Sequence, residues 1–220
     1  MESARQTIVI GDSHSRSFVE SDYFLTIFIG VGKYNNFTNQ HFAQSTRRKL
    51  LSIMSHFSKD DYFMIVLGEP DCRWNTYNHW YPSHSAQNPN NKIIDSVSRF
   101  KRSILDIRKL YHNLIIYSAN PHKRSEQNKT TLMWNKEIDI FCKDHDILFC
   151  DIYDEVLSDL NSFLVQSIAG EKEDNIHLNK SVQQLVIQKL NITKKAKKIT
   201  NLGSSFAFND KFKCYDFIQN

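Results

Sequence analysis

The chain has 220 residues, room for one substantial domain, with 40% hydrophobic and 24% charged residues. Only 6 Gly and 4 Pro argue against a disordered or fibrous chain, and a formal charge of +4 does not by itself indicate a nucleic-acid binder. No run approaches the roughly 18–20 apolar residues of a transmembrane helix.

The opening MESARQTIVIGDS lacks a basic start followed by an apolar run, so no secretory signal is expected. Cys72, Cys142, Cys150 and Cys214 show no CxxC spacing. Free buried thiols in a reducing cytoplasm are expected rather than disulfides or a zinc site.

In chain order, the predicted strands are continuous apolar runs, as parallel strands covered on both faces should be. They cover residues 7–10, 24–29, 62–67, 114–117 and 147–150, and the first three end at Gly11, Gly30 and Gly68. Between them lie helical patterns over residues 41–56, 91–111, 130–144 and 153–166, and another follows His177. This alternation predicts a three-layer α/β/α domain over residues 1–190 with a mostly parallel five-stranded sheet. Ligands bind such sheets beyond the carboxyl ends of the strands.

Two segments interrupt the pattern. Residues 71–92 are polar and aromatic-rich and read as a long loop. Residues 191–220 form a basic, then aromatic tail, expected either to dock through Phe206, Phe208, Phe212, Tyr215 and Phe217 or to engage a partner.

The chemistry concentrates at three strand ends and before the last helix. Gly11-Asp12-Ser13-His14-Ser15 places a serine where its hydroxyl and its own N–H can converge on one carbonyl. The same residues also suit a helix N-cap. Asp174-Asn175-Ile176-His177-Leu178 spaces a carboxylate three residues before a histidine. The carboxylate can there fix the imidazole tautomer, although a surface pair would look the same.

Together, GDS after strand one and DxxHL before the last helix resemble the first and last blocks of the SGNH/GDSL hydrolase family. That resemblance implies a flavodoxin-like fold, Ser13 as nucleophile, His177 as general base and acid, and Asp174 as orienting carboxylate. The GxSxG elbow of α/β-hydrolases is missing. The family's second block points to the Gly30 N–H as an oxyanion donor, with Gly32 as the alternative. A glycine that only permits a turn is the competing reading.

The third block, usually GxND, corresponds to Gly68-Glu69-Pro70-Asp71-Cys72-Arg73, and Asp71 takes the asparagine's place in the oxyanion hole. An ionised carboxylate cannot donate. Either Asp71 is protonated, or Arg73 ties it up while backbone amides form the hole, or activity is lost; the second reading is favoured. This GE-x-DCR form resembles a subgroup associated with bacterial surface-polysaccharide biosynthesis.

Arg73 suits a substrate carboxylate or phosphate, or else an internal salt bridge to Glu69 or Asp71. Trp74, Tyr77, Trp80 and Tyr81 suit stacking on a sugar, or packing of the loop on its own domain. His79 and His84 lack ligand partners at metal spacing, so neither a metal nor another cofactor is expected. His14 neighbours the nucleophile, but no mechanism requires it.

The implied activity is ester hydrolysis or O-acyl transfer on a carbohydrate ester, with an acetyl donor in the second case. No nucleic-acid partner is implied. A non-catalytic glycan- or protein-binding domain on the same fold is the rival, and Asp71 is its main support.

Overall fold

The computed structural model describes residues 5–30, 37, 39–76, 89–123, 125–165, 177–197, 202–211 and 213–218. The apolar runs form β1 (Thr7–Gly11), β2 (Phe24–Phe28), β3 (Tyr62–Val66), β4 (Leu114–Tyr117) and β5 (Leu148–Cys150). All five are parallel, in the order β5-β4-β3-β1-β2. After β1 the chain turns to β2 on one side and then to β3 on the other. The carboxyl end of β1 is therefore the switch point, where open parallel sheets bind ligands.

Side chains alternate across the sheet with the strand period of two, and each face has its own core. Ile8, Ile10, Phe63, Ile65, Leu114 and Ile116 lie in one core. They share it with residues of α1 (Gln40–Met54), α3 (Pro89–Arg108) and α4 (Ser125–Asp144). Val9, Met64, Val66, Ile115 and Tyr117 lie in the other. There they meet α5 (Tyr153–Ser158) and α7 (Val182–Lys189) through Val156, Val182 and Val186. This is the predicted three-layer α/β/α arrangement.

The sheet has seven strands rather than five. The tail contributes β6 (Phe206–Asn209) and β7 (Cys214–Phe217), an antiparallel hairpin whose β7 pairs with β2 in parallel. The physical reason is the edge of β2, whose five residues are all buried. The hairpin covers an edge that would otherwise offer unpaired backbone groups. Phe206 docks against the rings of His56, Phe57 and Phe217.

Two other expectations need correction. The segment expected to be a loop from residue 71 begins as a helix, α2 (Glu69–Thr76), and α3 already starts at Pro89; residues 77–88 lie outside the described residues. The helix expected over 153–166 is divided, α6 (Leu160–Phe163) following α5 after Asp159. All four cysteines are free and buried. No helix among the described residues is long and apolar enough to cross a membrane.

Candidate active site

Gly11 ends β1 against the backbone of β3. A side chain there would fall on the Val66 carbonyl oxygen and within 2.9 Å of Val66 Cβ. Only glycine lets the chain turn at this point. Asp12 then caps a short 3₁₀ helix, Ser13–Phe18, by accepting the His14 N–H at 3.0 Å. The Ser15 hydroxyl donates back to the Asp12 carbonyl at 2.7 Å. The N-cap and the turn carrying Ser13 are therefore one structure, and Ser13 is left half-buried at its tip.

His177 arrives from the far end of the chain. Its carbonyl accepts from the Val165 N–H at 3.0 Å, and the Asn179 N–H donates to Phe163 at 2.6 Å. The Ser17 hydroxyl donates to the Leu178 carbonyl at 2.8 Å, joining the serine turn to the histidine segment. His177 Nε2 then lies 2.9 Å from Ser13 Oγ, within hydrogen-bond reach across 164 positions of sequence. The arrangement can remove the serine proton as the hydroxyl attacks. Asp174 lies outside the described residues, as do Gly32, Tyr77, Trp80 and Tyr81.

Gly30 follows the end of β2 with φ at +96°, a conformation that favours glycine, and among the described residues no atom would obstruct a side chain there. The preceding Ile29 N–H donates to the Gly11 carbonyl at 2.9 Å, tying this segment to the serine turn. Gly68, with φ at +114°, packs so closely on the Trp134 indole that a side chain would come within 2.6 Å of it.

Asp71, expected at the oxyanion hole in the asparagine's place, acts as an acceptor in the structure. Its carboxylate is fully buried, and Oδ1 accepts the Phe37 N–H at 2.7 Å. Counted from Gly68, moreover, a GxND block sets Pro70 against asparagine and Asp71 against the final aspartate. Pro70 has no N–H to offer. Arg73, expected to bind substrate or to pair with Glu69 or Asp71, pairs with Glu69 at 3.4 Å. Trp74 lies on α2.

Sequence reasoning missed what lies beside the serine. His14 is buried, with Nε2 2.7 Å from Glu69 Oε2 and Nδ1 3.3 Å from Asn120 Nδ2. Its ring lies 4.9 Å from that of His177. Burial works against the charged forms of both partners. Their mutual attraction nevertheless holds His14 above, and Glu69 below, the usual range. Burial raises Asp12, although His14 opposes this. The available signal was a polar residue just past the ends of β3 and β4, with no spacing to single it out.

No family model matches the sequence, and neither does any curated protein. Solved structures do. A catalytic mutant of Axe2, an acetylxylan esterase from Geobacillus stearothermophilus, has a TM-score of 0.59 at 11% identity, covering 90% of this chain and 99% of that one. LAE5, an alpha/beta hydrolase enzyme from the metagenome of Lake Arreo, Spain, gives 0.56 at 11% identity, with 86% and 94% covered. Phospholipase A1 from Streptomyces albidoflavus NA297 gives 0.53 at 13% identity, with 86% and 99% covered. At such identities the likeness establishes a shared fold, a mostly parallel sheet between helical layers.

Proposed function

We propose that this chain is a serine-dependent esterase or O-acyltransferase acting on acylated carbohydrate, with Ser13, His177 and Asp174 as its triad. The observation that carries the reading is the 2.9 Å contact between His177 Nε2 and Ser13 Oγ at the sheet's switch point. Axe2 has been solved with a serine, an aspartate or a histidine replaced, each described as a catalytic mutant. Its replaced aspartate and histidine are three positions apart, as are Asp174 and His177.

In this mechanism His177 takes the Ser13 proton while Ser13 Oγ attacks the ester carbonyl. The Ser13 and Gly30 N–H groups hold the oxyanion, and Asp174 orients the imidazole. His177 returns the proton to the departing alcohol, leaving an acyl-serine. Water or a sugar hydroxyl, deprotonated by His177, then releases the acyl group. Arg73, Trp74, Trp80 and Tyr81 form the substrate wall, and an acetylated sugar is the first substrate to try.

A fluorophosphonate probe should label the wild-type protein and fail on Ser13→Ala. Aryl acetate hydrolysis should fall in that variant by about 10³-fold or more. Equal labelling of the two proteins would overturn the reading.

A further inference from the structure

Resting on the reading of Ser13 and His177 as nucleophile and base, we propose that His14 is a positioning residue held as an imidazolium between Glu69 and Asn120. It locks the turn carrying Ser13 and faces His177 with a positive charge that keeps the base unprotonated.

One imidazole joins three strand-end segments. His14 follows β1, Glu69 follows β3 and Asn120 follows β4, while the ring of His177 lies against it at 4.9 Å. The three residues are almost sealed from solvent, His14 at 3%, Glu69 at 6% and Asn120 at 2% exposure. The Ser13 backbone is thus anchored through the residue next to it.

The charge state follows from the partners. Glu69 Oε2, at 2.7 Å, accepts the proton of Nε2. On the other side the Asn120 amide nitrogen faces Nδ1 at 3.3 Å, while Asn120 Oδ1 is buried and has no partner among the described residues. Side-chain amide oxygen and nitrogen are assigned from the hydrogen bonds they make. Turning the amide places Oδ1 on Nδ1, where a proton makes a charge-assisted N–H···O bond, and moves the amide nitrogen to the buried position that Oδ1 now holds.

The surrounding charges agree. Asp12 and Glu69 favour a cation on the ring; Arg73, from α2, opposes it. His122 acts on the Glu69 end of the pair. Arg73 is about a third exposed, with side-chain exposure of 31%, so water screens it more than it screens the sealed Glu69. Burial disfavours charge on His14, yet Glu69, by its charge and its hydrogen bond, leaves the ring easier to protonate than an ordinary histidine.

Two measurements test this. Nitrogen NMR of histidine-labelled wild-type protein at about pH 7.5 should show His14 protonated on both ring nitrogens, a readout independent of turnover. The pH dependence of fluorophosphonate labelling should then shift in His14→Gln and Glu69→Gln. Without the neighbouring cation His177 takes up a proton more readily, so the acid limb moves to higher pH.

The labelling rate at about pH 6 relative to about pH 8.5 should fall roughly tenfold in His14→Gln. It should fall less in Glu69→Gln, which removes both charges of the pair and leaves no lone buried anion. If His14→Gln does not fold, Glu69→Gln carries the test. A neutral His14 in the wild type would overturn the proposal. So would folded variants that label more slowly at every pH with an unshifted profile, because that is the mark of a purely structural residue. If the wild type is not labelled at all, the esterase reading fails, and the histidine spectrum still decides the imidazolium.

Discussion

Ser13 stands on a turn packed into the middle of the sheet, whereas His177 stands on a segment clamped at its rim. Around Ser13 the constraints are steric and buried: Gly11 against Val66, the Asp12 cap and the His14–Glu69 pair. Around His177 they are a few backbone bonds to residues 163 and 165, the Ser17 bridge, and the burial of Leu178. The position of Ser13 is thus part of folding itself. The described contacts that place His177 are backbone bonds and one hydroxyl bridge.

The sharpest way to break that contrast is Gly11→Ala. The added methyl meets the backbone of β3, which cannot move without disturbing the sheet's centre. Overpacking of this kind costs about 2–3 kcal/mol, equivalent to a fall in melting temperature of roughly 5–10 °C for a chain of this size. Calorimetry or thermal melting followed by circular dichroism reads it. A variant melting with the wild type would show that the serine turn is looser than its contacts imply.

Ser17→Ala probes the other side and should affect stability less. It removes the hydroxyl bonded to both the His14 and Leu178 carbonyls, a link between the serine and histidine segments. A loss of about 1 kcal/mol, or roughly 2–4 °C, is expected. The rate of fluorophosphonate labelling should fall about tenfold, since small displacements of a base are costly. An unchanged rate with the same loss of stability would show that the Ser17 bond does not set the placement of His177.

What the sequence made legible divides along similar lines. The strands β1 to β4 were readable as apolar runs because central parallel strands bury both faces. Ser13 and His177 were readable because both lie in short blocks whose order along the chain is informative. The hairpin of β6 and β7 was not. Phe206 is buried but Ala207 and Phe208 are exposed, and the strand it extends, β2, lies nearly the whole chain away. Most of α2 was read as loop because residues 71–92 are polar and aromatic-rich and follow a strand end. Yet a proline in the first turn of a helix forfeits no intrahelical bond, and the Cys72 N–H reaches the Gly68 carbonyl at 3.0 Å. Glu69 and Asn120 were invisible because only tertiary structure brings them to His14.

Asp71 belongs to neither region and offers the finest comparison, because it was expected at the site and is found supporting a neighbouring segment. Its buried carboxylate accepts the Phe37 N–H at 2.7 Å, and Phe37 is itself a fully buried core residue packed on the Phe100 ring at 5.0 Å. Asp71 thereby holds Phe37, shortly before α1. Asp71→Asn keeps an oxygen that can accept the same N–H but loses the charge that strengthens the bond, a cost of about 1 kcal/mol. Stability should fall by that amount in denaturant titration, while aryl acetate hydrolysis stays within about threefold of the wild type. Loss of a true oxyanion donor costs about 10²–10³-fold. A collapse of that size in a folded Asp71→Asn protein would return Asp71 to the reaction itself. A rise in rate would instead mean that the new amide had turned its N–H toward the oxyanion.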